Sequence, residues 1–383
     1  MTIRITLFFE PLDVLQFRDH RPFDAGMHHV ASSVFPRPTV FRGAVRTALF
    51  RALGARFEAA DPFFEVQHAW ARDWLGGRDT PGSLALRGPL LARSSGDRVA
   101  PLFHAPHDLA WPPRGAAAGT AHLLAPHKPG VDLAPRRFRW SPRAVEQVSS
   151  ELAWTGRDIG KDSVDDFFTE AGASVYLAAG AGSVNLGSEP DHPLRVTKKD
   201  VLQSEVRVGI ARDPEQLAAS DGMLYMTTPF RLAPGAGFAV DVALPGDATD
   251  AARALVRQVD GRRATLGGKG HGARIRIFDG PLPLLVDPFD APAARPPRCK
   301  LWLQTPLPLR QPLPPDLTLV AKRSEPVGGF DLQTGAPREL RAALPAGAVV
   351  HFIGSLRDLA TEADLRTGYG TALLVSPSHG VIS

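Results

Sequence analysis

The sequence is poor in cysteine and lacks long apolar runs. Its 383 residues include one cysteine, Cys299, so an internal disulfide and a zinc site built from several thiolates are excluded. No stretch approaches the roughly 18 consecutive apolar residues that a membrane helix requires, and the N-terminal residues lack the pattern of a secretion signal. We therefore expect a cytoplasmic protein without membrane contact.

Lysine is also scarce. Only seven of the 44 basic residues are lysines, and the formal net charge is +4. The planar guanidinium of arginine suits phosphates and base edges better than an ammonium group does, so an arginine-rich chain is compatible with RNA binding. A GC-rich genome would produce the same bias, and composition alone does not decide between the two.

Alternating and helical patterns predict a mixed fold. Residues 3–9 are typical of a strand buried on both faces, and apolar spacing predicts a helix with Thr39 as its N-cap residue. Residues 206–210 alternate as a half-buried strand does. A helix is predicted over 249–260 and a strand over 273–278. This order is typical of a ferredoxin-like unit.

The length and the proline distribution predict two domains. The first would span residues 1–286, with a large insertion at about 61–199 that we expect to hold a hairpin and short helices. A proline-rich linker follows over 287–297. The second domain, 298–383, would contain strands at 300–304, 349–353 and 372–375 and a helix near 356–366.

A glycine-rich segment runs from Gly267 to Gly272. Its glycines permit positive φ and close approach of the backbone to a ligand, with N–H groups free to bind phosphate oxygens. Lys269 and His271 favour an anionic partner, whereas a flexible connection without a ligand is the alternative. The spacing matches no P-loop.

An aromatic and arginine segment, RRFRWSPR at 136–143, contains no acidic residue. This composition is used to bind single-stranded nucleic acid by phosphate pairing and base stacking. The alternative is a solvated loop with Trp140 in a core.

Patterns for metal binding and catalysis are weak. The His104 and His107 pair is interrupted by Pro106, which prevents a helix from bringing the two imidazoles together, so we expect no metal. Asp162, Asp165 and Asp166 are more typical of an acidic first helical turn than of paired catalytic carboxylates. Motifs of serine hydrolases and kinases are absent from the sequence.

Together these segments resemble the RAMP superfamily of CRISPR-associated proteins, specifically the family of third subunits of the type III-B (Cmr) effector complex. The resemblance rests on motifs in family order: RDHRPFDAG at 18–26, the helix at 36–49, RVGIARD at 207–213, GMLY at 222–225, LGGKG at 266–270, PVGGFD at 326–331, LRAALPAG at 340–347 and GYG at 368–370. The segment 61–199 carries none of it.

The resemblance implies an α+β fold of two ferredoxin-like (RRM-like, RAMP) domains, no cofactor and no catalytic residues. It implies a subunit that holds the repeat-derived 5′ tag of the CRISPR RNA (crRNA) and contacts target RNA only indirectly. Its neighbours would be the large polymerase-cyclase subunit and the backbone RAMP subunit.

Candidate RNA-binding residues are the cations, glycines and one aromatic of these motifs. They are Arg18, His20, Arg21, Arg42, Arg46, Arg137, Arg139, Gly267, Gly268, Lys269, Gly270, His271 and Tyr369. For Arg46 a salt bridge on the helix surface, and for Tyr369 packing in a core, are equally compatible with the sequence. Many family members have glycine at position 20 and an acidic residue at position 269, where this chain has His20 and Lys269.

Two other functions stay open at this point. Some RAMP proteins are metal-independent endoribonucleases that process CRISPR transcripts, and His20, His28, His29 and His271 are candidate general acids or bases for such a reaction. A protein scaffold that does not contact RNA is the other alternative.

Overall fold

The structure is a computed structural model, and it describes most of the chain. The described residues are 2–18, 30–54, 68–77, 81–112, 119–127, 152–154, 166–179, 182–187, 193–212, 215, 218–287, 299–310, 313, 317–331, 336–352 and 356–375.

Strands dominate these residues. The first eleven are β1 Arg4–Pro11, β2 Val30–Ser32, β3 Leu86–Ser95, β4 Arg98–His104, β5 Leu109–Ala110, β6 Thr120–Leu123, β7 Ala125–His127, β8 Leu152–Trp154, β9 Asp166–Phe168, β10 Ser183–Asn185 and β11 Arg195–Thr197. The next seven are β12 Leu202–Ser204, β13 Arg207–Arg212, β14 Ala219–Thr228, β15 Phe230–Leu232, β16 Ala236–Ala243, β17 Arg263–Thr265 and β18 Gly272–Asp279. The last seven are β19 Cys299–Leu303, β20 Leu307–Pro308, β21 Thr318–Val320, β22 Glu325–Asp331, β23 Ala336–Leu344, β24 Val349–Phe352 and β25 Ala372–Val375.

The helices are short, apart from the first. They are α1 Pro38–Ala52, α2 Ala69–Leu75, α3 Glu170–Ala178, α4 Thr249–Arg257, α5 Leu356–Leu359 and α6 Glu362–Thr367. The single helix predicted near 356–366 is therefore two helices, and Thr361 caps the second by accepting a hydrogen bond from the Asp364 N–H.

An eight-stranded sheet forms the centre of the fold, in the order β11-β9-β4-β3-β16-β1-β18-β17. The strand predicted at 3–9 is confirmed as β1, which pairs antiparallel with both β16 and β18. Four strands of this sheet (β3, β4, β9 and β11) come from residues 61–199. The described part of the expected insertion is thus built into the main sheet, and it contains the expected hairpin, β3–β4.

Helices α1 and α4 cover one face of this sheet. The predicted apolar stripe of α1 is confirmed, since Phe41, Val45 and Leu49 are fully buried with the sheet residues Phe9 and Phe238. The predicted cap is wrong: α1 begins at Pro38, with Arg37 as the N-cap residue and no side-chain cap hydrogen bond. Proline suits the first turn of a helix because its missing N–H has no intrahelical partner there.

The C-terminal part covers the other face. Its sheet, β21-β24-β19-β25, shares a core with the central sheet in which Trp302 and Val349 pack with Phe8 and Phe103. Asp166, predicted to open a helix, instead begins β9. Most of the expected linker 287–297 lies outside the described residues.

Buried ion pairs lie within and between these layers, the pair of Arg4 with Asp287 among them. The Lys300 ammonium lies 2.7 Å from the Asp108 carboxylate, which is 0% exposed and also accepts hydrogen bonds of 2.8 and 2.9 Å from the Tyr176 hydroxyl. Arg87 is paired with the equally buried Asp241 of β16. Charges this deep persist only when paired and hydrogen-bonded, as these are.

A separate three-stranded sheet, β13-β14-β2, projects an apolar face to solvent. Val208 pairs with Met226 and Ile210 with Leu224 across the antiparallel ladder. With Val206, these side chains are between 41% and 65% exposed. The strand at 206–210 exists as predicted, but its apolar face is exposed, so the expectation that the apolar face is buried is wrong.

No helix among the described residues is long and apolar enough to cross a membrane.

Candidate nucleic-acid interface

The glycine-rich segment forms the turn of the β17–β18 hairpin. Thr265 pairs with Gly272, and the Leu266 N–H donates to the His271 carbonyl at 2.8 Å. Gly267 has φ of 83° and Gly270 has φ of 70°, so the predicted positive φ is found at two glycines. Gly267 also lies so close to the Gln16 carbonyl that a Cβ would not fit there.

Part of the turn's hydrogen-bonding capacity is used internally. The Gly268 N–H donates to the Gln16 carbonyl at 2.8 Å, and the His271 N–H points to the Gly268 carbonyl at 3.4 Å. The expectation that these N–H groups face outward is therefore wrong for those two residues. What the turn presents to solvent is mainly the side chain of Lys269.

Lys269 is held in a left-handed backbone conformation, with φ of 56° and ψ of 23°. Left-handed geometry is uncommon for a residue with a Cβ. The Lys269 ammonium lies 4.2 Å from the centroid of the Tyr225 ring on β14. The ring itself lies over Gly209 of β13, where a Cβ would collide with it. A cation on an aromatic ring is thus fixed at the junction of two hairpins.

Beside this pair lies a network of four charged side chains. Arg207 contacts Glu205 at 2.8 Å and Asp13 at 3.3 Å, and Arg231 contacts the same carboxylates at 2.6 and 3.1 Å. Hydrogen bonds from Arg231 and Arg207 lower the pKa of Glu205. The two arginines are neutralised by the two carboxylates, so this network adds no net charge to that of Lys269.

His271 lies two residues after Lys269 in the sequence. Partial burial, together with the positive charges of Arg207 and Lys269, lowers the pKa of its imidazole, and only Asp13 opposes this effect. Neutral imidazole can donate or accept one hydrogen bond but does not pair ionically with phosphate. His271 is therefore suited to a polar contact.

Arg18 is next in the chain to the residues on which the glycine-rich turn packs. It is exposed and comes directly after these residues, Gln16 and Phe17. An isolated bridge joins it to Ser33. We call the exposed region formed by Arg18, Lys269, His271, Tyr225 and Arg207 the Lys269 surface.

Arg42 and Arg46 are engaged elsewhere. Arg42 donates to the carbonyls of Leu84 and Pro81 at 2.6 and 2.7 Å, and Arg46 donates to the Leu75 carbonyl at 2.8 Å. Burial, with Arg46 and Arg366 nearby, lowers the pKa of Arg42 to about 10. Both side chains join α1 to the connection after α2, and their contact with RNA stays a prediction.

Tyr369 is a core residue. Its ring is 3% exposed and clusters with Val327 and Ala343, and burial raises the pKa of its hydroxyl, which is hydrogen-bonded to Thr39. Of the two alternatives for this residue, packing is the one the structure has, and a ring so enclosed cannot stack on a base. The remaining candidates (His20, Arg21, Arg137 and Arg139) lie outside the described residues.

A family model described as "CRISPR-associated protein (Cas_Cmr3)" matches residues 7–377. The chain belongs to this family. The resemblance stated from the motifs is thereby confirmed. Among curated proteins, no match was found.

One solved structure of low sequence identity shares the fold. A chain in the cryo-EM structure of the Type III-B Cmr-beta bound to cognate target RNA is similar over 96% of both chains, at 14% identity and a TM-score of 0.50. A second state of that assembly, bound to cognate target RNA and AMPPnP, gives 13% identity, coverage of 90% of this chain and 86% of the other, and a TM-score of 0.46. A chain in the crystal structure of a Csm3-Csm4 subcomplex of the type III-A interference complex is 11% identical. The match covers 98% of this chain and 100% of that one, with a TM-score of 0.38.

Sequence reasoning did not single out Tyr225 or Arg207 as site residues. Both lie in family motifs, at GMLY and RVGIARD, but only the pairing of Gly209 with Tyr225 brings them to the glycine-rich turn. Alternation along β13 was the available signal, since it places Arg207 and Gly209 on the face opposite Val208.

Within the described ranges, no group of three His, Cys, Asp or Glu side chains could hold a metal ion.

Proposed function

We propose that this Cas_Cmr3 family chain is a non-catalytic, RNA-holding subunit of a type III-B CRISPR ribonucleoprotein. It holds the repeat-derived 5′ tag of the crRNA and bridges the large polymerase-cyclase subunit to the backbone RAMP subunits. The observation that carries the RNA-holding role is the Lys269 surface, on which a cation and an aromatic ring are fixed on a glycine-rich turn that lies at a family motif.

The geometry suits a single strand held in extended form. Single-stranded RNA is bound by phosphate donors, stacking surfaces and close approach of the backbone. Lys269 supplies a phosphate donor, Tyr225 an aromatic surface and the turn residues Gly268 and Gly270 a backbone without side chains. Arg18, exposed beside the turn, adds a second cation.

The fold supports the same assignment. The units β1–α1–β3 and β16–α4–β18 place their strands in the order β3-β16-β1-β18, which is the βαββαβ arrangement of a ferredoxin-like domain. We infer that this is the N-terminal RAMP domain, and that residues 299–375 supply the second one.

The non-catalytic assignment rests on the family resemblance and on the charged groups that surround the His271 imidazole. A metal-independent endoribonuclease needs a general acid and a general base aligned on the scissile phosphate. His271 is the one candidate histidine of that alternative within the described residues, and its neighbours are cations and the paired Asp13. The endoribonuclease remains the alternative that the following experiment tests.

The test is a titration of the purified chain with labelled RNA that carries or lacks the repeat-derived 5′ tag. Binding is read on native gels at two salt concentrations, and RNA integrity on denaturing gels without added metal. Tag-dependent binding of intact RNA is expected. Replacing Lys269 with Gln should weaken binding and reduce the slope of log K against log[salt] by about 0.7, the value for one phosphate contact to a single strand.

Lys199→Gln is the matched control, because Lys199 is an exposed lysine on a separate turn. Equal salt slopes for Lys269→Gln, Lys199→Gln and the unaltered chain would remove Lys269 from the interface. Metal-independent cleavage that disappears in His271→Ala would replace the proposal with the endoribonuclease. Binding only in the presence of the partner subunits would support the scaffold instead.

A further inference from the structure

A second concave site lies where residues 105–111 meet the C-terminal part. The cavity has a volume of about 220 Å³ and is half open to solvent. Trp111, Phe168 and Leu109 form its apolar wall, His107 and Lys322 are its polar lining, and Ala105, Pro106 and Ala321 complete it. We call this cavity the Trp111 pocket. Small-molecule sites have this character, mostly apolar with a few placed polar groups.

The pocket is preformed. The His107 N–H donates to the Gly347 carbonyl at 2.8 Å, and the His107 Nδ1 accepts a hydrogen bond of 3.2 Å from the Lys322 N–H. Both bonds join the N-terminal and C-terminal parts of the chain across the pocket. Its two walls therefore hold their spacing without a ligand.

Positive charge surrounds the aromatic wall. The Arg195 guanidinium lies 4.4 Å from the centroid of the Trp111 ring, and Lys322 is followed by the exposed Arg323. Arg195 makes only a long contact of 3.5 Å with Asp166, and its buried Nε–H has no acceptor among the described residues. Asp108 is fully buried and already paired with Lys300.

The Trp111 pocket is remote from the Lys269 surface. Strand register places the end of β4, which leads into the pocket, opposite Ile277, whereas the glycine-rich turn lies at Gly272. Five residues along the strands and four strands across the sheet separate the two sites by roughly 25 Å. A ligand here is therefore not held by the Lys269 surface.

We propose that the Trp111 pocket binds one nucleotide, with its base against Trp111 and its phosphate at Lys322, while the Arg195 guanidinium on the Trp111 ring adds a second nearby positive charge. An unstacked base has a flat apolar face of the size that an aromatic wall accommodates, and its phosphate requires the cations. The nucleotide can belong to a single-stranded RNA or be free in solution, because both present the same base and phosphate. This inference goes beyond the tag-holding role and does not depend on it.

Calorimetric titration of the full chain with AMP tests the proposal. We expect one AMP per chain and at least tenfold weaker binding of ribose 5-phosphate, which lacks the base. Trp111→Leu keeps apolar bulk but loses the aromatic face, and it should weaken AMP binding about tenfold. Lys322→Gln should weaken AMP binding severalfold, whereas Lys199→Gln should leave it unchanged.

A second variant guards against a simple loss of folding. Ala321→Phe adds bulk to the pocket wall without removing any contact, and circular dichroism and thermal unfolding identify variants that remain folded. A folded Ala321→Phe chain should not bind AMP. Displacement of AMP by a hexameric single-stranded RNA would identify RNA as a source of the nucleotide, and AMP binding without such competition would identify the free nucleotide.

The proposal is overturned if the unaltered chain binds neither AMP nor the hexameric RNA in the Trp111 pocket. It is also overturned if folded Trp111→Leu and Ala321→Phe chains bind AMP as tightly as the unaltered chain does. These results are independent of the tag-binding titration, which responds to Lys269→Gln. Either site can fail while the other is retained.

Discussion

Replacing Lys300 with Met should destabilise the protein more than any other change to a single lysine in the described residues. The substitution keeps the length of the side chain and removes the ammonium that lies 2.7 Å from Asp108. Asp108 is then left 0% exposed with only the Tyr176 hydroxyl as a partner. Removing one member of a buried pair costs about 3–5 kcal/mol. Because the Lys300 side chain is 14% exposed, we expect the lower end, about 3 kcal/mol.

Urea unfolding followed by circular dichroism measures this loss. The midpoint should fall while the slope m stays constant, because the surface exposed on unfolding does not change. Lys199→Met, at an exposed position, is the control and should change stability by less than about 0.5 kcal/mol. The double variant Lys300→Met with Asp108→Asn removes both charges, and it should recover more than half of the loss.

Two results would refute this reasoning. The first is a loss for Lys300→Met no greater than that for Lys199→Met, which would mean that the Asp108 carboxylate is hydrated. The second is a double variant as unstable as the sum of the single variants, which would mean that the two side chains do not interact.

Three other predictions concern the backbone of Lys269, the titration of Glu325 and the exposed apolar face of β13. Lys269→Gly should leave thermal stability unchanged or slightly raised, because glycine adopts positive φ without strain, yet it should weaken tag binding as Lys269→Gln does. Burial raises the pKa of Glu325 against the opposing effect of Arg37, so the folded chain binds this proton more tightly than the unfolded chain does. The protein therefore loses stability as the pH rises through the raised pKa. Glu325→Gln should be more stable than the unaltered chain at pH 7, and thermal melts should show that the difference vanishes near pH 4. Val208→Thr and Ile210→Thr should each change the unfolding free energy by less than about 0.5 kcal/mol, because both side chains are exposed. Val45→Ala on the buried face of α1 should cost well over that, and urea unfolding of the three variants measures the difference.

The elements with strong periodicity were predictable from the sequence, and the surroundings of those elements were not. The apolar stripe of α1 at Phe41, Val45 and Leu49 indicated its buried face correctly, because a helix of that pattern must cover a core. Alternation at Val206, Val208 and Ile210 indicated a strand correctly. It could not indicate which face is covered, since that depends on the neighbours of the whole hairpin.

The candidate site shows the same division. Glycine content predicted that segment 267–272 permits positive φ, and Gly267 and Gly270 adopt it because local sterics allow it there. The partners of Arg42 and the burial of Tyr369 depend on residues about 40 and 330 positions away along the chain, at Leu84 and Thr39. No local pattern contains such information. The resemblance to a family identified the motifs as a group but not the fate of each side chain.

The interior position of β1 in the main sheet imposes an order on folding during synthesis. Both of its pairing strands, β16 and β18, are synthesised after it, and the nearer begins at Ala236, about 225 residues beyond Pro11. At about 5–20 residues per second, β1 waits roughly 10–45 s before it can pair. During that interval Leu7, Phe8 and Phe9 are available to chaperones, so the nascent chain should depend on them until translation passes β18.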